Sequence, residues 1–211
     1  MTSAAHPQPQ MIHALLLDFG GVVAEEGFRD GLRELARRHH LDPDAVVHAG
    51  AEAVYDSGYV VGCGTELDFW KLMEKRTGLP PYDPSFTEEI LCRFIVRPPV
   101  VKAVRRVRSQ GLLVAILSDQ TDWLDRLDAR DHFSRDFDRV FNSYHLGKGK
   151  RDPTLFPEVV ESLGVSPAAS LFIDDTPGNV ERARGQGLQG VLFSGQSSLI
   201  ETLAGLNAPA P

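Results

Sequence analysis

Leu15-Leu16-Leu17-Asp18-Phe19-Gly20-Gly21-Val22-Val23 is an apolar run that breaks off at a carboxylate followed by two glycines. The run is apolar at consecutive positions, so it fits a strand buried on both faces of a parallel sheet. Asp18 then stands at the strand's carboxyl end, where open α/β sheets place their ligands. Gly20 and Gly21 let the backbone turn sharply and approach whatever the carboxylate holds. By itself the stretch reads equally well as a strand, a turn and a solvated Asp. A second run of the same kind shifts the balance: Ser170-Leu171-Phe172-Ile173 ends in Asp174-Asp175.

Working outward, the chain alternates. Residues 11–17 form the first strand, and little strand signal follows from residue 27 to about 94. Phe28, Leu32, Leu35 and Ala36 recur at helical spacing, Asp42-Pro43 opens a second helix, and a glycine-rich loop covers 58–64. Thr65 starts an amphipathic helix through Leu67, Trp70, Leu72 and Met73, and a short helix covers 86–94. After Pro98-Pro99 helices fall at 100–109, 122–130, 153–163, 179–186 and 197–206, interleaved with strands at 112–117, 137–141, 170–173 and 190–193. Strands alternating with helices predict a parallel sheet with right-handed crossovers. The fold class is therefore α/β: a Rossmann-like three-layer core over 11–24 and 98–206, with an inserted α-helical cap over 25–97.

The composition excludes several classes. The chain has 211 residues, 42% hydrophobic and 24% charged, with a formal net charge of -7. An acidic balance argues against nucleic acid or an anionic membrane as partner. No run approaches the roughly 18 apolar residues of a membrane span. Residues 1–10 are polar with two prolines and lack an apolar segment, so they read as a disordered tail and not a signal peptide. Cys63 and Cys92 fit free thiols in a cytoplasmic protein better than a disulfide scaffold. A monomer and a homodimer are equally compatible with the sequence.

The chemistry gathers at one sheet edge. Loops leaving the strands' carboxyl ends carry Asp18, Ser118, Lys150 and Asp174-Asp175. Three carboxylates in one small site repel unless cations join them, and hard oxygen ligands suit Mg²⁺. A lysine balances one further charge. A serine hydroxyl and a helix N-terminus bind phosphate oxygens. Asp18 is then available as an in-line nucleophile toward phosphorus. Each piece has a bland alternative: Ser118 as a turn serine, Lys150 within a solvated basic loop, Asp174-Asp175 as a capped turn. Their joint order along the chain favours a site.

Together these stretches resemble the haloacid-dehalogenase (HAD) superfamily of hydrolases, in its phosphatase-like branch with a C1-type helical cap. Asp18-Phe19-Gly20-Gly21-Val22 resembles the first motif, which implies Asp18 as nucleophile and metal ligand and the Gly20 carbonyl as a further ligand. Leu117-Ser118-Asp119 resembles the second. Residues 143–156 resemble the third, Ser-x-x-x-Gly-x-x-Lys-Pro-Asp-Pro, which places its lysine at Lys150 and not Lys148. Ile173-Asp174-Asp175 resembles the fourth, with Asp175 on Mg²⁺ directly and Asp174 directly or through water. The resemblance thus implies Asp18, Ser118 and Lys150 as catalytic residues. It implies Gly20, Gly21, Ser118, Asp119 and Lys150 in substrate binding, and Asp18, Gly20, Asp174 and Asp175 at the metal.

Three positions depart from the pattern. Gly20 stands where the phosphatases usually carry a second Asp as general acid, and such a group typically contributes about 10²–10⁴ in rate. Asp119 replaces a common Asn, and a carboxylate beside a phosphate is unfavourable unless paired or turned away. Arg151 replaces proline, and either adds charge at the site mouth or faces solvent, the preferred reading. The resemblance implies a Mg²⁺-dependent phosphatase of a small phosphorylated metabolite such as a sugar phosphate, working through an aspartyl-phosphate on Asp18. The alternatives are a 2-haloacid dehalogenase-like hydrolase, whose family pattern puts Tyr at position 20, and a weakly active phosphate and Mg²⁺ binder. Candidates for reading the substrate are Glu25, Glu26, Phe28, Tyr55, Tyr59 and Trp70, with core packing the preferred role for Phe28 and Trp70.

Overall fold

The structure, a computed structural model, describes residues 11–206; residues 1–10, read as a tail, and residues 207–211 lie outside them. Five strands form one parallel sheet: β1 (Ala14–Leu17), β2 (Leu113–Ser118), β3 (Arg139–Asn142), β4 (Ser170–Asp174) and β5 (Gln189–Leu192), in the order β3-β2-β1-β4-β5. β1 is central because it is the strand with apolar side chains on both faces throughout: all four residues are buried. Leu15 and Leu17 join the larger core beneath one face, with Val114, Ile116, Leu171 and Ile173. Leu16 points the other way, into a second core with Ala115, Leu117, Phe156 and Phe172. Each fully buried aliphatic side chain contributes roughly 1.5–3 kcal/mol, so the sheet's two faces carry the fold. Helices α5 (Pro98–Ser109), α6 (Trp123–Asp131) and α10 (Gln196–Ala204) supply the first face, and α8 (Leu155–Ser162) and α9 (Pro177–Gly185) the second.

Register determines what meets at the sheet edge. Leu17 pairs with Ile173 across β1 and β4, which sets Asp18 level with Asp174. The Asp18 N–H donates to the Ile173 carbonyl at 2.9 Å. On the other side Leu17 pairs with Ile116, so Ser118 follows one step beyond the level of Asp18.

Between β1 and α5 lie α1 (Gly27–Arg38), α2 (Pro43–Asp56), α3 (Glu66–Thr77) and α4 (Pro84–Leu91), with a 3-10 turn at Tyr59–Val61 inside the glycine-rich loop. Their starts follow side-chain chemistry. Asp42 accepts from the Asp44 and Ala45 N–H groups, and Thr65 and Asp68 form a reciprocal capping box. Trp70 stacks on Tyr82 and donates to Thr87 at 3.1 Å, so it packs inside this helical block, in the role preferred from sequence.

Two local readings are corrected. Helix α8 starts at Leu155, because the Asp152 carboxylate accepts from the Thr154 N–H and hydroxyl at 2.8 Å each and holds Asp152-Pro153 in a turn before it. A short helix α7 (Ser143–Leu146), capped by Asn142, occupies part of the third motif; four residues are too few to show periodicity.

Gly31 on α1 sits against α4, where a Cβ would lie 2.6 Å from the Ile90 Cα. Alanine would gain about 1 kcal/mol in helix propensity. Overpacking against backbone costs about 1–3 kcal/mol, and the overlap here is with atoms that cannot rotate away. Gly31→Ala is therefore expected to lower unfolding free energy by up to about 2 kcal/mol in urea titration; a gain in stability would show that α1 and α4 are not closely packed.

Candidate active site

The centre of the site is a buried lysine between two aspartates. Lys150 Nζ lies 2.7 Å from Asp18 Oδ1 and 2.7 Å from Asp174 Oδ2. Lys150 is 1% exposed, Asp174 0% and Asp18 9%. The lysine comes from the loop after α7, and it crosses beneath the sheet edge with its ammonium 5.4 Å from the centre of the Phe172 ring. Burial would lower the Lys150 pKa, but the charges of Asp18 and Asp174 outweigh it and hold the group above the ordinary lysine value. Burial raises the Asp18 carboxyl to about 7, against the pull of Lys150 and helped by the charge of Asp174.

Asp18 Oδ1 also accepts from the Ser118 hydroxyl at 2.8 Å. Ser118 thus holds the carboxylate from β2 while Lys150 holds it from below. Asp174 is fully engaged: Thr176 N–H donates at 2.7 Å to Oδ1, and Asn179 Nδ2 reaches Oδ1 and Oδ2 at 3.2 and 3.1 Å. Asp175 is freer. It accepts from the Thr176 hydroxyl at 3.1 Å, and Arg29 approaches it at 3.7 Å. One carboxylate oxygen from each of Asp18, Asp174 and Asp175 falls within 4.8 Å of the others.

These groups open into a cavity of about 310 Å³, the size of a small-metabolite site. Its wall takes Asp18, Gly20, Ser118, Asp119, Lys150 and Asp175 from the sheet edge. The α1–α4 block adds Glu26, Phe28, Arg29, Ala51, Val54 and Tyr55. Gly21 and Asp174 are not on the wall. Gly21 adopts φ +83° and lies so close to Asp175 that a Cβ would stand 2.6 Å from its Oδ2. At Gly20 a Cβ would stand 3.1 Å from the Phe94 ring.

The departures from the motif pattern find structural reasons. Asp119 is paired: it accepts from the Tyr55 hydroxyl and, at 2.8 Å, from the Lys150 N–H. Arg151 does not simply face solvent; its guanidinium stacks 3.6 Å from the centre of the Tyr55 ring and it lines the cavity. The aromatic face attracts the planar cation more than water alone does. Glu26 caps α1 by accepting from the Arg29 N–H at 3.2 Å, and burial pushes its carboxyl upward. Glu25 turns aside to pair with Arg97 at 2.6 Å, and Tyr59 bonds Asp122 without lining the cavity. Phe28, expected in the core, does both: it packs near Phe69 and Trp123 and forms cavity wall.

Sequence reasoning does not single out Arg29, Trp123, Asn179 or Arg182, which also line this wall. Asn179, five residues after Asp174, is the one with a usable signal, because a loop followed by a helix start brings that spacing back to the strand end. The two cysteines are free and exposed. Among the described residues, no helix is long and apolar enough to cross a membrane.

A parallel sheet with this acidic edge, a bridging lysine and an inserted helical block defines a class of hydrolase, and comparison with known proteins identifies it. The family model for haloacid dehalogenase-like hydrolases matches residues 12–187, so the chain belongs to that family. Bifunctional epoxide hydrolase 2 of Rattus norvegicus is 27% identical over 125 residues, 56% of this chain and 22% of the relative. Flavin mononucleotide hydrolase 1 of Arabidopsis thaliana is 36% identical over 91 residues, 42% of this chain and 37% of the relative. The matches therefore span well under half of these two relatives. Phosphatase MT3486 of Mycobacterium tuberculosis is 30% identical over 117 residues, 53% of this chain and 54% of the relative. Among solved structures, a HAD family enzyme of Bacteroides thetaiotaomicron in complex with magnesium and inorganic phosphate superposes with a TM-score of 0.65. It is 19% identical, over 86% of this chain and 93% of that one. L-2-haloacid dehalogenase of Xanthobacter autotrophicus superposes at 0.63 with 21% identity, over 94% and 85%. At these identities the superpositions show the fold.

Replacing Lys150 by an isosteric apolar residue would leave Asp18 and Asp174 facing each other without a cation. Removing one partner of a buried pair costs about 3–5 kcal/mol. In Lys150→Met the Asp18 carboxyl, already raised by burial, would lose the cation that pulls it down, so the folded state would bind more protons than the wild type and its stability would rise as pH falls. Denaturant titrations should show a deficit of about 3–5 kcal/mol at pH 8 that shrinks by pH 5. A deficit independent of pH would mean that Lys150 acts by packing alone.

Proposed function

We propose that this hydrolase is a phosphatase acting on a small phosphorylated metabolite, dependent on a divalent cation of the Mg²⁺ type. The observation that carries the reading is the trio of carboxylate oxygens from Asp18, Asp174 and Asp175 within 4.8 Å, beside a single lysine. One ammonium, with a guanidinium that Asp175 shares with Glu26, does not balance three carboxylates, and the Asp18 carboxyl is pushed up to about 7 in consequence of its burial. Hard oxygen donors of this kind fit Mg²⁺. Two of the relatives named above are a flavin mononucleotide hydrolase and a phosphatase, and a structural relative holds magnesium and phosphate.

In this reading residues 25–97 are the cap and the sheet with its flanking helices is the core. Asp18 attacks phosphorus and carries the phosphoryl group as an aspartyl-phosphate until water hydrolyses it. Ser118 and Lys150 hold the Asp18 carboxylate against rotation, and both offer donors to phosphate oxygens. Asp175 and the Gly20 carbonyl would hold the metal with Asp18; Asp174, already engaged by Lys150, Thr176 and Asn179, would reach it through water. The bound cation would supply the positive charge that lowers repulsion between carboxylate and phosphate. Gly20 can move no proton, and the wall offers Glu26, a carboxyl that burial biases toward its protonated form, as donor to the leaving group. The competing reading is dehalogenase-like displacement at carbon, which needs no acid at position 20, although the dehalogenase pattern puts Tyr where this chain has Gly20.

Hydrolysis of p-nitrophenyl phosphate is expected with Mg²⁺, is lost in EDTA, and falls by about 10³-fold or more in Asp18→Asn. Turnover of a 2-haloacid in EDTA, with no phosphatase activity in Mg²⁺, would overturn the proposal in favour of the competing one. The metal site makes its own prediction. A protonated Asp18 cannot ligate, so Mg²⁺ affinity by calorimetry should be level above pH 7 and fall about tenfold per unit below it. Affinity unchanged between pH 8 and pH 5.5 would remove Asp18 from the metal site.

A further inference from the structure

The cavity wall carries four cations and four carboxylates, and pairing them leaves two cations over. Lys150 is taken by Asp18 and Asp174. Arg29 lies between Glu26 at 3.6 Å and Asp175 at 3.7 Å. Asp119 is satisfied by the Tyr55 hydroxyl and the Lys150 N–H. Arg151 and Arg182 remain. Among the described residues neither has a carboxylate within salt-bridge distance: Arg151 stacks on Tyr55, and Arg182 donates to the Asn179 amide at 2.8 Å. Both are exposed, and both line the cavity.

Resting on the phosphatase reading, we infer that Arg151 and Arg182 recognise a second anionic group on the substrate, a carboxylate or a further phosphate at the end remote from the scissile ester. The transferred phosphoryl group has its own partners at the floor in Ser118 and Lys150, so the two arginines are not needed there. They reach the cavity from opposite sides of β1: Arg151 from the segment that follows β3, and Arg182 from α9, which follows β4. A guanidinium presents a planar fork of donors suited to carboxylate or phosphate oxygens. Arg151 is also oriented in advance by its aromatic partner, which limits the side-chain entropy lost on binding. The apolar part of the wall, with Phe28 and Val54, leaves room for an uncharged body between the two anionic ends.

The test compares two esters of nearly equal leaving-group acidity: 4-(carboxymethyl)phenyl phosphate and its neutral counterpart, 4-(2-hydroxyethyl)phenyl phosphate. With Mg²⁺ the wild-type protein should prefer the carboxylate ester by about tenfold or more in kcat/KM, the effect of one charge-assisted contact. That ratio should approach one in the Arg151→Gln, Arg182→Gln double variant, with its fold checked by thermal melting. In the wild-type protein the ratio should also shrink between 50 mM and 500 mM salt, because exposed charges are screened; this arm stands even where the variant fails to fold. Equal kcat/KM for the two esters in the wild-type protein, or a preference that survives both the double substitution and high salt, overturns the inference while leaving the phosphatase reading intact. Failure of the carboxylate ester to turn over, with Asp18-dependent p-nitrophenyl phosphate hydrolysis present, overturns it too. Loss of all three hydrolyses is instead a failure of the phosphatase reading.

Discussion

The contact on which the rest depends is Lys150 between Asp18 and Asp174, at 2.7 Å to each. Parallel pairing of β1 with β4 sets two carboxylates level at adjacent strand ends. In a buried position two like charges there would drive proton uptake or open the edge. A cation has to come from elsewhere, and it comes from a segment that follows the edge strand β3, with two strands between it and β4. The fold therefore ties its outermost strand to its centre through one ion triad. A third carboxylate, Asp175, is left without a full partner, with Arg29 at 3.7 Å.

The lysine's own segment is tied in turn to the helical block. Asp119 accepts from the Lys150 N–H and from Tyr55 on α2. Ser143, at the start of α7, donates to the Val60 carbonyl at 2.7 Å. Tyr59 bonds Asp122. Burial and the neighbouring carboxylates raise both phenols, so they stay protonated and donate. A position that looks chemically awkward beside a phosphate, Asp119, is thus spent on joining the two halves of the wall. The proposed cap and the proposed catalytic floor share a hydrogen-bonded seam, and the cavity lies along it.

The layers of the fold were legible because they rest on local pattern. Consecutive buried residues in β1 and β4, helical periodicity in α1 and α3, and the cap chemistry of Asp42 and Thr65 each need only neighbours in sequence. Boundaries slipped where a side chain overrode the pattern, as Asp152 does at the start of α8. The motif residues Asp18, Ser118, Lys150, Asp174 and Asp175 were legible because strand ends gather at one edge of a parallel sheet. Trp70 illustrates the opposite case. Its helical spacing allows a place in the site, and its packing on Tyr82 settles the matter.

By itself the sequence determined an α/β fold with an acidic, lysine-bearing sheet edge and a helical insertion, since those follow from the order of strands and the residues that end them. The tertiary structure alone decided which charges are already paired. Asp119 meeting Tyr55 across 64 residues, Arg29 meeting Asp175, and Arg151 lying on an aromatic ring are contacts between elements distant in the chain. No spacing rule encodes them, because they depend on how the inserted helices seat on the sheet. Charge balance in a buried cavity is a property of that seating.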